Sequence, residues 1–234
     1  MKVLLTGANG FVGRELCAEL LRHGHWVRGA LRKNTGRLAK ADEVEYVVVG
    51  PVDAATVWRQ ALMGCDVVVH LAAHVHVHVH VMCDEAGDPL TEFREVNTEG
   101  TLNLARQAAQ AGVKRLVFVS SIKVNGEGRD DPYRETDAPA PEDAYAISKW
   151  EAELGLHRIA QETGLEVVIL RPPLVYGPGV KANFLRLMNT IHKGWPLPLG
   201  AIRNRRSLLY LGNFVDAIRV CVEHPVAAGQ TFLL

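Results

Sequence analysis

Lys2-Val-Leu-Leu-Thr-Gly-Ala-Asn-Gly-Phe-Val-Gly13 runs from a short apolar strand into a turn with glycines at positions 7, 10 and 13, and Phe11–Arg22 has helical spacing. Glycine tolerates positive φ and lets backbone approach a ligand closely, and a helix N-terminus offers unpaired N–H groups and the positive end of its dipole. Three glycines at spacing three between a first strand and a first helix predict a dinucleotide pyrophosphate site. Gly7, Asn9, Gly10, Phe11, Val12 and Gly13 would line it. A tight structural turn is the alternative reading.

Outward from that turn, strand-like and helix-like stretches alternate. His25–Leu31, Val44–Val49, Asp66–Ala72, Arg115–Ser120 and Leu165–Arg171 read as strands, and Ala54–Met63, Glu92–Ala111 and Asp143–Thr163 as helices. Such alternation implies βαβ units. The runs Val47-Val-Val49 and Val67-Val-Val69 are apolar on both strand faces, as a doubly covered parallel sheet requires. From Pro172 the texture becomes rich in proline and glycine, around a helix at Ala182–Lys193, then a helix at Asn213–Glu223 and a strand at Thr231–Leu234. The expected α/β organisation is a nucleotide-binding domain over residues 1–171 and a small substrate lobe over 172–234, its last helix and strand returning to the core. The sequence stops within a strand-like run, with little after it to cover an apolar strand.

Composition narrows the partners. The 234 residues are 48% hydrophobic and 22% charged, values of a globular chain. Lys plus Arg and Asp plus Glu both number 26, so there is no broad basic field and neither nucleic acid nor an anionic membrane is an expected partner. Cys17, Cys65, Cys83 and Cys221 form no CxxC pair and suit free thiols in a reducing cytoplasm. No stretch approaches the roughly 18 apolar residues of a membrane span, and Met1–Gly10 is too broken to be a secretory segment.

A second constellation carries chemistry. Ser120-Ser121 closes a strand at the carboxyl edge of the sheet, where ligands bind in such folds, and Tyr145 and Lys149 stand one turn apart on one helix face. An ammonium beside a phenol favours the phenolate and lowers the tyrosine pKa from its usual value near 10. With the Ser121 hydroxyl orienting phenol and substrate, Tyr145 becomes an acid/base for an alcohol or ketone. At the end of the second strand, Val27-Arg-Gly-Ala-Leu-Arg-Lys33 has no acid for an adenosine ribose. Arg28, Arg32 and Lys33 lie there instead, and Arg32 facing a 2′-phosphate would favour NADP over NAD; a solvated basic loop is the alternative.

With Gly7-x-x-Gly10-x-x-Gly13, His70-Leu-Ala-Ala73, Asn97-x-x-Gly100-Thr-x-Asn103, Ser120-Ser121, Tyr145-x-x-x-Lys149 and Arg171-Pro-x-x-Val-Tyr-Gly-Pro178 in that order, the chain resembles the extended short-chain dehydrogenase/reductase family, in particular its nucleotide-sugar epimerases, dehydratases and 4-keto reductases. The resemblance implies a Rossmann-type doubly wound sheet with helices on both faces, an NAD(P) cofactor, a UDP-linked sugar as substrate and a homodimer through Glu92–Ala111 and Asp143–Thr163. It implies Ser121, Tyr145 and Lys149 as the catalytic set. Leu71, Ala72, Ala73 and Pro172 would touch the cofactor, and Lys149 would also hold the nicotinamide ribose. Asn97 would support Lys149 through a water, with a helix-start cap as its alternative. Asn183 and Arg206, in segments resembling the family's sugar-nucleotide contacts, would join Ser121 and Tyr145 on the substrate, with Arg206 clamping the pyrophosphate.

Three departures stand out. Related sequences are longer, so the resemblance breaks off at Leu234 and the substrate lobe that it implies reads as incomplete. Pro51, in Gly50-Pro-Val-Asp53, replaces an aspartate that reads adenine in related sequences. The run His74-Val-His-Val-His-Val-His80, if extended, puts four histidines on one face about 6.8 Å apart. No cysteine or acid is nested among them and hydride chemistry needs no metal, so a loop beside the nicotinamide is expected and no metal site. The expected function is NAD(P)-dependent 4-keto reduction or 4-epimerisation of a nucleotide sugar, tilted toward the reductase by the basic second strand end. A catalytically idle dinucleotide-binding sensor is the alternative, and a metal-binding protein a distant third.

Overall fold

Successive residues of a strand point to opposite faces, and here that period divides the apolar residues between two cores. In the computed structural model, which describes residues 1–33, 43–75, 88–197 and 205–234, the strands are β1 (Lys2–Thr6), β2 (Trp26–Leu31), β3 (Val44–Val48), β4 (Val67–His70), β5 (Arg115–Val119), β6 (Glu166–Arg171), β7 (Leu174–Tyr176), β8 (Leu208–Tyr210) and β9 (Thr231–Leu233). One parallel sheet runs β3-β2-β1-β4-β5-β6-β9, and β7 and β8 pair separately as a short parallel ribbon. The helices are α1 (Phe11–Arg22), α2 (Arg59–Leu62), α3 (Pro89–Phe93), α4 (Thr101–Gln110), α5 (Ala144–Thr163), α6 (Ala182–His192) and α7 (Leu211–Glu223).

Leu4, Val68, Leu116, Phe118, Val167 and Ile169 face α2, α4 and α5 in one core with Trp58, Leu104 and Leu156. Their neighbours Val3, Leu5, Val69, Val117, Val168 and Leu170 face α1 and α7 in the other, against Leu16, Leu20, Phe214 and Ile218. The sheet is thus doubly wound, and the strand order reverses between β1 and β4. Beyond the carboxyl ends of those two strands lies the crevice where such sheets bind ligands.

α1 has the expected bounds, and α5 begins where Asp143 caps it, the carboxylate accepting the Ala146 N–H at 2.7 Å. Two helices differ from expectation. The stretch 54–63 is helical only over α2, because side chains compete for the backbone upstream: Asp53 Oδ1 accepts the Ala55 N–H at 2.9 Å, and Thr56 Oγ1 accepts the Asp53 N–H at 2.9 Å. The stretch 92–111 starts earlier, at Pro89 behind the Asp88 cap, and contains a π-helical segment at Arg94–Gly100 that joins α3 to α4. That segment packs tightly: a Cβ on Gly100 would stand 2.9 Å from Val52 Cγ1.

In the segment after residue 171, α7 and β9 join the sheet and its core, whereas α6 lies largely exposed. Truncating Phe214 to alanine removes a fully buried ring from the α7 layer and is expected to lower stability by about 3–5 kcal/mol. Urea unfolding checks this; a loss below about 1 kcal/mol would mean that α7 is not part of the core.

Candidate active site

The glycine turn is a backbone cradle. Gly7 follows β1 with φ +70°, and Gly10 caps α1 without any side-chain hydrogen bond. A Cβ on Gly13 would fall 2.1 Å from the Gly7 carbonyl oxygen, and one on Gly7 would fall 3.1 Å from the Ala72 nitrogen. Helix start, turn and the chain at Leu71–Ala72 therefore lie in close contact around Gly7, and α1 carries no acid in its first turn. These features fit a dinucleotide pyrophosphate. Asn9 and Phe11 belong to the same turn; the Asn9 carbonyl accepts the Arg14 Nε–H at 2.9 Å.

A hydrogen-bond chain behind the cradle fixes Leu71 and Ala72. Both of their N–H groups donate to Thr6 Oγ1 at 3.1 Å, so the hydroxyl must give its own proton to His70 Nδ1, 2.7 Å away. The imidazole proton then lies on Nε2, which donates to Thr101 Oγ1 at 3.0 Å. Complete burial, with Lys149 nearby, pushes the His70 pKa down to about 3, so the ring stays neutral. Its 15N resonances are expected to show the Nε2–H tautomer without titration between about pH 8 and 5. A titrating ring, or one protonated on Nδ1, would overturn the assignment.

Ser121, Tyr145 and Lys149 come to the carboxyl edge of the sheet. Ser120 N–H donates to the Leu170 carbonyl (2.7 Å) and Ile122 N–H to the Pro172 carbonyl (3.1 Å), which seats Ser121 between the ends of β5 and β6. Ser121 Oγ accepts the Lys123 N–H at 3.2 Å, leaving its own proton to donate. Lys123 Nζ bridges to Asp143 at 2.6 Å, linking the serine turn to the start of α5, two residues before Tyr145. A row of rings flanks the tyrosine: His74 to Phe93 at 5.2 Å and Phe93 to Tyr145 at 6.0 Å between centroids.

One expectation is corrected. Lys149 does not lower the tyrosine pKa in this arrangement. Its Nζ donates to the Val119 carbonyl at 2.8 Å and lies 4.4 Å above the Phe118 ring but 6.0 Å from the Tyr145 ring centre. Burial, and then the Asp143 charge, push the phenol up to about 12, while burial pulls the lysine down to about 7 against the opposing pull of Glu153.

Asn97 is no helix-start cap, since it sits inside continuous helix. Its Oδ1 accepts the His74 N–H at 2.8 Å and its Nδ2 donates to the His74 carbonyl and to Ser148 Oγ, so it reaches α5 beside Lys149 and clamps the start of the histidine run. Beyond His74, that run lies outside the described residues, as does the side chain of Asn183. No metal-ligating cluster occurs among the described residues. Cys17, Cys65 and Cys221 are buried free thiols, and Cys83 lies outside the described residues. Arg206 is exposed just before β8, and Arg32 is exposed beyond β2.

Arg28, counted above with the basic strand end, is committed elsewhere. Buried, it donates to the Ala61 and Met63 carbonyls at 2.8 Å and pairs with Glu45 at 2.9 Å. Glu153 is not among the residues singled out above, and Arg171 stands there only within a motif; the two form a buried ion pair. The signal was there: Glu153 repeats the four-residue step from Tyr145 to Lys149, and Arg171 opens the motif ending at Pro178.

Comparison with known proteins gives the family. Residues 3–234 match the model of the NAD dependent epimerase/dehydratase family. The chain belongs to that family. Its extended short-chain dehydrogenase/reductase character is thereby established, and with it the enzyme class. This epimerase-family chain is 48% identical, over 99% of its length and 70% of the other's, to the UDP-glucose 4-epimerase of Vibrio cholerae. It is 31% identical to the N-acetyl-alpha-D-glucosaminyl-diphospho-ditrans,octacis-undecaprenol 4-epimerase of Escherichia coli O157:H7, over 97% of this chain and 64% of that protein. The solved structure of MoeE5 in complex with UDP-glucose and NAD superposes with a TM-score of 0.83 at 27% identity, covering 100% of this chain and 76% of that one.

Proposed function

We propose that this chain interconverts the C4 epimers of a UDP-sugar, with NAD held in the Gly7–Gly13 cradle. The observation that carries the reading is the placement of Lys149: a buried ammonium at the tip of β5, one helical turn from a phenol, at the edge where the cradle opens. An idle sensor has no need of that group, because binding alone does not require a lysine buried beside a tyrosine.

The dinucleotide, when bound, supplies the acceptor and donor of hydride and, oxidised, a positive ring that favours the phenolate. Tyr145 takes the proton of the 4-hydroxyl and later returns it. Ser121, its acceptor side engaged by the Lys123 N–H, donates to the same substrate oxygen. Lys149 holds positive charge beneath the phenol and binds the ribose. Residues 1–171, with α7 and β9, serve the cofactor; β7, α6 and the segment before β8 serve the sugar nucleotide, with Arg206 and Asn183 on it. A second copy of the chain packs on α4 and α5, where Leu154 is exposed.

Tyr145→Phe is expected to lower conversion of UDP-glucose to its C4 epimer by about 10²–10⁴-fold while NAD affinity, read by calorimetry, stays within about twofold. Undiminished turnover, or parallel loss of NAD binding, would contradict the assignment.

Cofactor choice follows from Arg28. With that side chain committed to α2 and Glu45, Arg32 and Lys33 remain for a 2′-phosphate among the described residues of this strand end, and both are exposed. We therefore favour NAD, as in the MoeE5 complex. Calorimetry with both dinucleotides is expected to find NAD the tighter; tighter NADP would restore the 4-keto reductase as the better reading.

A further inference from the structure

Behind the proton-transfer set lies a buried charged cluster that the reaction as described does not use. Glu153 is completely buried on α5, one turn beyond Lys149. Arg171, at the end of β6, donates to it twice, Nε to Oε1 at 3.0 Å and Nη2 to Oε2 at 2.5 Å. Ser120 Oγ donates to Oε1 at 2.5 Å, and Arg171 Nη1 donates to Asn125 Oδ1 at 2.9 Å. Ser120 is also the residue whose peptide carries the Val119 carbonyl that accepts from Lys149 Nζ. Two side chains one turn apart on α5 are thus pinned to two consecutive residues at the tip of β5. The neighbouring residue of each anchor, Ser121 after Ser120 and Pro172 after Arg171, is one assigned above to substrate or cofactor.

We propose that Glu153 is a positioning residue for the proton transfer: locked by Arg171 and Ser120, its carboxylate is the fixed countercharge that keeps the Lys149 ammonium seated on the Val119 carbonyl beneath Tyr145. The inference rests on the role given above to Tyr145 and Lys149. The titratable groups around the lysine, among the described residues, are Tyr145 and Glu153 on its own helix, His70 on β4, which stays neutral, and Arg171 on β6, which faces Glu153. Glu153 is the negative charge in that set, so its field holds the proton on Lys149 while burial works to remove it. Arg171 in turn pairs with that carboxylate where an unpaired buried charge would be costly.

The test is a titration of 13Cε-labelled lysine in the ligand-free protein, with the Lys149 resonance assigned by its loss in Lys149→Met. In Glu153→Gln the lysine is expected to titrate about one pH unit lower or more, and in Glu153→Asp, which retains the charge, close to wild type. Should Glu153→Gln fail to fold with Arg171 stranded, Glu153→Gln/Arg171→Met removes both charges and is expected to show a downward shift too, smaller by whatever the loss of the Arg171 cation offsets. In turnover, the alkaline limb of the kcat–pH profile moves down with the titration, kcat at neutral pH falls about tenfold or more, and KM for the UDP-sugar stays within about twofold. An unmoved Lys149 titration in the folded variants would overturn the proposal, as would equal changes in kcat and KM with an unmoved pH profile. A shifted titration in a protein that epimerises no UDP-sugar would retain the countercharge and remove the epimerase reading instead, so the two failures are distinguishable.

Discussion

A cation taken out of water must be matched where it comes to rest, and in this protein that cation is the ammonium of Lys149. It rests on a strand-end carbonyl and an aromatic face, a carboxylate lies one turn further along its helix, and a phenol lies one turn back. None of these groups is in place until β5, β6 and α5 are docked. The chemistry at the carboxyl edge is therefore inseparable from the packing beneath it. Breaking a buried ion pair such as Glu153–Arg171 by removing one partner typically costs about 3–5 kcal/mol, a sizeable part of the net stability of a domain.

The other half of the site is held by backbone. Gly13 lies against the Gly7 carbonyl and Gly7 against Leu71 and Ala72, so α1, the turn after β1 and the segment after β4 meet closely where the glycines carry no side chain. The Thr6–His70–Thr101 chain sets the direction of the two amides that close this contact. Being neutral lets the imidazole bond both threonine hydroxyls, Thr6 on β1 and Thr101 at the start of α4, in the buried interior. Cradle and proton-transfer set are then brought side by side by strand order alone, β1-β4-β5-β6.

Much of this was legible in the residues. The spacing of Gly7, Gly10 and Gly13 and the apolar period of Phe11–Arg22 located the first βα unit, and Asp143 at the head of a periodic run located α5 with Tyr145 and Lys149 on it. What could not be read was decided by tertiary partners. The π-helical segment at Arg94–Gly100 has no distinctive local signature, and its fit against Val52 exists only in the folded chain. Asp53 and Thr56 diverted a helix-like stretch into a side-chain-bonded turn. Arg28 counted by position among the basic residues of the second strand end, yet the β2–β3 pairing puts Glu45 beside it and α2 presents its carbonyls to it. The tyrosine pKa went the other way for a related reason: spacing set Lys149 one turn from Tyr145, but the Val119 carbonyl holds its Nζ and burial governs the phenol.

An epimerase that works through a transient 4-keto sugar must remove hydride from one face of the ring carbon and restore the same hydride to the other, so the label at that carbon is its most direct witness. With UDP-glucose deuterated at C4, NAD and the full protein, the account predicts that the C4-epimeric product retains its deuterium, by mass spectrometry and NMR, while no reduced dinucleotide accumulates. Product that has exchanged C4 deuterium for solvent hydrogen, or conversion that stoichiometrically consumes or releases reduced dinucleotide, would contradict it.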